Sequence, residues 1–368
     1  MEKTKVGIVG CGDISGIYLA NLTSKFANTQ VVGIYDIVCE KTKKAAAAFG
    51  IQKTYKELQE LINDPEIDIV LNLTRPYQHY EVTMASIAAG KHVYSEKPLG
   101  ACMNEAEEIK QAAANKGVCV GGAPDTFLGA GLQTCRKLID DGFIGKPIAA
   151  TAFFACAGHE TWNPDPGYFY QRGGGPVLDA GPYYVTALIN LLGPVASVSA
   201  VSKKTYETRM VTTQQNFGRL INVETDTHTA GALTFECGAI CTMIMSYDIH
   251  AHNLPVIEIY GTEGTLSVPD PNIFAGPVKL FRREQKEFLT MPLMFGYSEN
   301  CRGLGLADMA HAIKTGRKAR AGIDLLYHAM EVMTGFLLSS SQKRAIDIMS
   351  RAERPAPMLS GLLPGKFE

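Results

Sequence analysis

The sequence predicts an α/β protein built in two parts: an N-terminal doubly wound parallel sheet, then an α/β domain with a large open, mostly antiparallel sheet. Three observations predict it. Short apolar runs alternate strictly with helix-period segments up to residue 124; that alternation then breaks; and from about 195 to 291 strand-like runs follow one another with only turns between them. A chain of 368 residues also exceeds what one core ordinarily organises, so a division into 1–124 and 125–368 is expected.

Taken in order, VGIV (6–9), VVGIY (31–35), DIVLNL (68–73), HVYS (92–95) and VCVGG (118–122) are apolar runs of strand length, as buried parallel strands require. Residues 14–26, 40–49, 56–63, 79–89 and 103–116 carry the helical period between them. A helix at 128–141 ends at Gly142 and Gly145, and a strand is expected at 148–157. A loop rich in Pro, Gly and aromatics (158–182) leads into a helix at about 180–192. ICTMIMSY (240–247) and VIEIYG (256–261) are the clearest of the later strands. Helices at about 303–315 and 323–341 close the domain, and ERPAPM (353–358) stops any further helix. The tail, 346–368, is expected to pack back on the first domain.

Composition narrows the partners. Thirty-five basic against 37 acidic side chains, with no basic tract, argue against nucleic acid and anionic membrane. Nine scattered cysteines without a CxxC pair fit reduced thiols rather than a disulfide framework or a zinc site. The N-terminus enters a strand at once, without a signal-type apolar segment, and no stretch reaches transmembrane length, so a cytoplasmic location is expected.

VGIVGCGDISG is the sharpest local signal. Gly10 and Gly12 fill the first two places of a GxGxxG turn directly after a strand and before a helix, with Ser15 in the third. The first glycine permits the tight turn and the second lets backbone approach a pyrophosphate at the helix N-terminus. Asp36 closes the second strand where a ribose-binding acid belongs, and its charge would repel a 2′-phosphate. NAD(H) is therefore expected over NADP. Further along, SEKPLG (95–100) lies at the carboxyl edge of the fourth strand, where such sheets place ligands. Lys97 precedes a proline, which forces extended geometry and turns it to the cleft. Burial there is expected to lower its pKa toward neutrality, suiting it to exchange a proton.

GCGDIS, Asp36, TRPYQH (74–79), SEKPLG and GGGPVLDAGPYYV (173–185), in that order, resemble the Gfo/Idh/MocA family of sugar and cyclitol oxidoreductases. GTEGTL (261–266) and RGLGLADMAHAI (302–313) extend the resemblance over nearly the whole chain. It implies a Rossmann domain, hydride transfer between nicotinamide and a carbon bearing hydroxyl, and an even-numbered homo-oligomer through the open sheet. It also implies catalytic roles for Lys97 and Asp179. Where many members have a histidine, this chain has Tyr183, as in the glucose–fructose oxidoreductase and dihydrodiol dehydrogenase branches, and Thr186 replaces a further acid. Asp179 and Tyr183 are spaced i,i+4, so one helix would carry both on one face, with Lys97 lowering the tyrosine's pKa. The cofactor contacts implied are Gly10, Cys11, Gly12, Asp13, Ile14, Asp36, Ile37, Thr74, Arg75, Pro76, His79, Glu96 and Lys97.

The aromatic loop GHETWNPDPGYFYQRGGG (158–175) suits a sugar, whose apolar face stacks while its hydroxyls find polar groups. His159, Trp162, Asn163 and Arg172 join Asp179 and Tyr183 as expected substrate contacts. No metal is expected, although His250 and His252 stand beside Asp248. The reaction favoured is oxidation of a sugar or glycoside, at C3 of a glucopyranoside, with NAD(H) as the cofactor. The alternatives are an inositol or trans-dihydrodiol dehydrogenase, sugar–sugar transhydrogenation on a retained cofactor, and an NAD(H)-binding sensor without turnover.

Overall fold

The computed structural model describes residues 2–362, 365 and 366. The first sheet has six parallel strands: β1 (Thr4–Val9), β2 (Thr29–Tyr35), β3 (Lys53–Thr54), β4 (Ile69–Asn72), β5 (His92–Ser95) and β6 (Val120–Gly122), in the order β3-β2-β1-β4-β5-β6. All five expected runs are strands; the added one, β3, is a two-residue edge too short to carry an apolar run. The connecting helices are α1 (Ser15–Ser24), α2 (Cys39–Phe49), α3 (Leu58–Ile62), α4 (His79–Ala88) and α5 (Met103–Lys116). Strand order reverses between β1 and β4, so their carboxyl ends open the crevice in which such sheets bind ligands. Ile8, Ile69, Leu71 and Val93 are fully buried, as strands covered on both faces must be.

The second sheet has nine strands in the order β16-β15-β14-β13-β7-β12-β11-β8-β17. They are β7 (Pro147–Ala155), β8 (Val195–Lys203), β11 (His228–Phe235), β12 (Ile240–Ser246), β13 (Ile257–Gly261), β14 (Gly264–Val268), β15 (Val278–Arg282), β16 (Leu289–Met291) and β17 (Ile346–Asp347). Only the pair β12–β7 is parallel. Between β8 and β11 the chain leaves the sheet as a two-stranded ribbon, β9 (Thr208–Met210) and β10 (Leu220–Asn222). One face of the sheet buries alternate residues such as Cys241, Met243 and Met245 on β12. It packs against helices α6 (Ala130–Asp140), α7 (Gly175–Asp179), α8 (Gly181–Leu192) and α10 (Ile323–Gln342). The other face is open.

Helix α9 (Leu304–Thr315) packs on β6, and α10 touches β6 and α5 as well as β8, so α10 bridges the two sheets. Asn21 of α1 donates to the carbonyls of Asn300 and Arg302, just ahead of α9. The tail pairs with β8 through β17, then gives carbonyls of Pro355 to Arg136 and of Ala356 and Pro357 to Arg320. Positions 363, 364, 367 and 368 of that tail lie outside the described residues.

Asp125 joins the first sheet to α9. Its Oδ2 accepts the amides of Gly303 (2.8 Å) and Gly305 (3.0 Å). Burial raises its pKa to about 6, against the pull of those amides. A carboxyl raised in the folded state stabilises fully below its unfolded value and loses that contribution as pH rises through about 6. Asp125→Asn keeps an acceptor for both amides without the charge. It should gain on the wild type as pH rises from 4 to 7, by about 3 kcal/mol at most. Parallel melting temperatures of the two proteins across that range would show that ionising Asp125 carries no cost.

Candidate active site

At the end of β1 the turn has the required shape. Gly10 has φ +102°, and a Cβ there would stand 2.8 Å from the Leu73 carbonyl, so only glycine fits. A Cβ on Gly12, by contrast, would meet no described residue within 4 Å, which leaves open space ahead of α1. Ser15 is buried and donates to the Gly12 carbonyl at 2.6 Å, holding the turn closed. Asp36 is fixed by two amides: Cys11 N–H to Oδ2 (2.7 Å) and Val38 N–H to Oδ1 (2.8 Å). Its carboxylate keeps further lone pairs for ribose hydroxyls, and Ile37 beside it is 83% exposed. Thr74, past β4, turns back onto Asn72 through its amide and hydroxyl. A glycine cradle at a helix N-terminus and a pinned carboxylate fit a dinucleotide.

Two expected cofactor contacts point elsewhere. His79 is 1% exposed, with Nδ1 and Nε2 each 2.9 Å from a carbonyl, of Pro98 and Thr74. Burial lowers its pKa. It ties the β4 and β5 exits together rather than facing the crevice. Arg75 pairs with Asp165 at 3.2 Å and lies over the Tyr168 ring. The acid and the aromatic that claim it come from a loop ninety residues away, which its local sequence could not disclose.

Lys97 leaves β5 through a cis bond to Pro98, flanked by Glu96. Glu96 accepts Tyr18 O–H (2.7 Å) and the Lys97 amide (3.1 Å), fixing the segment from α1. The Lys97 ammonium donates to Asp179 twice, to Oδ1 at 2.6 Å and to the backbone carbonyl at 2.7 Å. It lies 5.3 Å from the centroid of the Tyr183 ring, over its face. The Arg302 guanidinium lies near enough to the tyrosine to favour its ionised form, against burial. Arg302 is in turn held by Asn300 Oδ1 (2.8 Å) and Asn272 Oδ1 (2.6 Å). The expected single helix is broken: Asp179 ends α7, and Pro182 restarts the chain as α8. The two side chains still meet, because both point at Lys97.

The charge balance differs from expectation. Burial alone would push the Lys97 ammonium down, but the adjacent Asp179 carboxylate outweighs it and holds the lysine above its ordinary range. Burial likewise opposes ionisation of Asp179, yet Lys97 and His159 keep its carboxyl well below the usual range. Burial raises Tyr183, and Lys97 offsets only part of that. The resting pair is ammonium and carboxylate, so the expected fall of the lysine toward neutrality does not occur.

Asp179 Oδ2 faces two more groups. Tyr247 donates to it at 2.8 Å, and His159 Nε2 stands 3.3 Å away, off the hydrogen-bonding axis. His159 is stacked on Phe169 (3.9 Å) with Trp162 edge-on to it (5.3 Å), so His159 and Trp162 both line an aromatic shelf beside the ion pair. Trp162 is 62% exposed. Asn163 does not reach the pair; its Oδ1 accepts the Asp165 amide (2.8 Å) and shapes the loop. Arg172 turns away as well, to Glu105 on α5 (2.7 Å) and to Cys102 just ahead of that helix. Tyr247 was missed, although the period-2 run Cys241, Met243, Met245, Tyr247 places it on the inward face. Arg302 gave no such signal. Thr186 donates to the Pro182 carbonyl within its own helix. Among the described residues no three His, Cys, Asp or Glu side chains are grouped to hold a metal ion, and Asp248 is taken up by Arg209 and two threonines.

The fold and the site define a two-sheet dinucleotide-binding protein with a partly buried lysine–aspartate pair at the crevice between the sheets. Residues 4–122 match the oxidoreductase family model described as an NAD-binding Rossmann fold, and residues 132–267 match the GFO/IDH/MocA C-terminal domain. The chain belongs to the Gfo/Idh/MocA oxidoreductase family. It is 37% identical over 153 residues to inositol 2-dehydrogenase/D-chiro-inositol 3-dehydrogenase of Lactiplantibacillus plantarum, covering 39% of this chain and 42% of that one. Levoglucosan dehydrogenase of Pseudarthrobacter phenanthrenivorans is 23% identical over 290 residues, 72% of this chain and 73% of that one. The matches to the first curated relatives span about half their length or less. A solved NAD binding oxidoreductase from Klebsiella pneumoniae superposes with a TM-score of 0.81 at 22% identity, covering 95% of this chain and all of that one, a likeness of fold. No described helix is long and apolar enough to cross a membrane.

Proposed function

We propose that this protein is an NAD(H)-dependent oxidoreductase that acts on a secondary hydroxyl or ketone of a sugar or glycoside. The observation that carries the reading is the partly buried Lys97–Asp179 ion pair at the exit of β5, beside an aromatic shelf. In this reading residues 1–124 hold the cofactor and 125–368 the substrate. NAD, when bound, would supply the hydride acceptor.

Two of the three ammonium protons of Lys97 go to Asp179, which leaves the third for a substrate oxygen. In reduction Lys97 Nζ gives a proton to the forming alkoxide; in oxidation the lysine must first be neutral and takes the proton from the hydroxyl. Asp179 orients the lysine and a neighbouring hydroxyl, while Tyr183, its ring under the ammonium, lines the same side. His159 and Trp162 would stack against a ring. Relatives named for inositol and levoglucosan support a cyclic polyol or sugar, and C3 of a glucopyranoside is the carbon we expect to react.

The test is to mix the purified protein with NAD and a panel of glucose, methyl glucosides, levoglucosan and myo-inositol, following NADH absorbance. Turnover with glucosides, and a 3-keto product by NMR, is the expected result; turnover of myo-inositol alone would replace the sugar reading with a cyclitol one. A second reading, transfer between two sugars with the cofactor retained, is favoured by two ion pairs from the aromatic loop to the first domain, Arg75–Asp165 and Arg172–Glu105. It predicts NAD(H) in the protein after gel filtration.

The open face of the second sheet exposes Val201 and Ile240. We propose that it joins copies of the chain into a homo-oligomer. Light scattering should give an even multiple of the chain mass, reduced by Val201→Lys; a monomeric wild type would end this proposal.

A further inference from the structure

Behind Asp179 lies a second buried ionic cluster that the proton transfer does not use. Arg209, on β9 of the ribbon, has a side chain only 6% exposed. Its Nη1 donates to Glu160 Oε1 at 2.7 Å and its Nη2 donates to Asp248. Asp248 Oδ2 also accepts Thr205 O–H (2.6 Å) and Thr227 O–H (2.7 Å). Tyr170 donates its hydroxyl proton to Glu160 and accepts the His159 amide at 3.1 Å. The Thr212 amide, next to the ribbon, donates to the Glu160 carbonyl at 3.0 Å. Burying three charges in this way is costly, and an apolar cluster of similar volume would ordinarily be as stable. Its placement is therefore the informative fact.

Each carboxylate is the chain neighbour of a residue that faces Asp179. Glu160 follows His159, and Asp248 follows Tyr247. These two neighbours are the groups at Asp179 Oδ2, 3.3 Å and 2.8 Å away. One guanidinium therefore ties the backbone of the aromatic loop to the end of β12, where Tyr247 stands. A planar fork that serves two carboxylates at once fixes both directions, which a single ammonium cannot do. The ribbon holds the loop again near its exposed end, through Asn216 to the Pro164 carbonyl (2.7 Å) and Arg219 to Asp165 (2.7 Å). Arg209 is the buried member of this set.

We propose that Arg209 is a positioning residue whose clamp on Glu160 and Asp248 holds His159 and Tyr247 against Asp179 and sets the aromatic loop for substrate. The inference rests on the reading of Asp179 given under Proposed function. A displacement of about 1 Å in such a support lowers turnover by roughly 100-fold without touching the reacting atoms.

Trp162 is the chain's single tryptophan and lies edge-on to His159, so its fluorescence reports the loop without any substrate. Arg209→Met is expected to lower kcat about 100-fold on the panel sugar that the wild type oxidises fastest. Its Kd for NADH should stay unchanged, and acrylamide should quench Trp162 more strongly. Arg209→Lys, which retains the charge but serves one carboxylate, should fall between the two on both readouts; if the Met variant does not fold, the Lys variant decides by the same readouts. A folded variant with wild-type quenching, or with wild-type kcat, overturns the clamp. If the wild type oxidises no panel sugar, the sugar reading fails, and quenching alone decides the clamp.

Discussion

Lys97→Met is expected to abolish measurable turnover while NADH still binds. Removing a positioned proton donor costs about 10²–10⁴-fold in rate. The variant also strands Asp179, whose carboxylate then keeps only Tyr247 as a firm partner with His159 nearby. Breaking one side of a fully buried pair costs roughly 3–5 kcal/mol; this pair is partly buried, so the cost is smaller, but the variant should still melt below the wild type. The double variant Lys97→Met, Asp179→Asn removes the stranded charge. It should recover much of the melting temperature and none of the activity. That separation distinguishes loss of chemistry from loss of fold. Turnover and NADH titration are measured on all three proteins; a Lys97→Met protein with wild-type kcat would remove the lysine from the mechanism.

The second large effect is on pH. The neutral lysine required for oxidation is scarce at pH 7, because Asp179 holds the ammonium above its ordinary range in spite of burial. Below that pKa each unit of pH raises the neutral fraction tenfold, so kcat/KM for oxidation should climb about 100-fold from pH 7 to 9 without a plateau. Reduction uses the ammonium, which is fully populated at neutral pH, and should be flat there and fall only in alkali. Asp179→Asn removes the strongest group opposing burial, leaving Tyr183 and Glu96, and should move the oxidation limb to lower pH. Tyr183 cannot supply an earlier limb, since burial raises it as well. An oxidation profile already level at pH 7 would contradict this assignment.

Much of the first half was legible because its signals are local. A strand buried on both faces is a continuous apolar run, and the turn after β1 demands glycine from the backbone alone, as the near-contact of Gly10 with Leu73 makes plain. Asp36 could be placed because its spacing from that turn follows from one βαβ unit. His79 and Arg75 were misplaced for the complementary reason. Their partners, Pro98 and Asp165, stand 19 and 90 residues away, and a side chain's local pattern does not reveal which distant group will claim it.

The second half follows the same division. The i,i+4 spacing of Asp179 and Tyr183 named two residues that do meet at Lys97, but Pro182 breaks the helix assumed to bring them together. The lysine's direction of shift could not be read from SEKPLG, because burial and a carboxylate 82 positions away act in opposite senses and the nearer charge prevails. Tyr247, Arg302 and Arg209 enter the site only through pairings across the sheets. The sequence by itself determined the two-sheet α/β plan and the dinucleotide turn, since these depend on period and backbone geometry, while the lysine, aspartate and tyrosine were pointed to by the resemblance of their motifs to a family. Only the tertiary structure decided which charges face one another and which are spent on the scaffold, because Coulomb and hydrogen-bond energies depend on distance in space and not on separation along the chain.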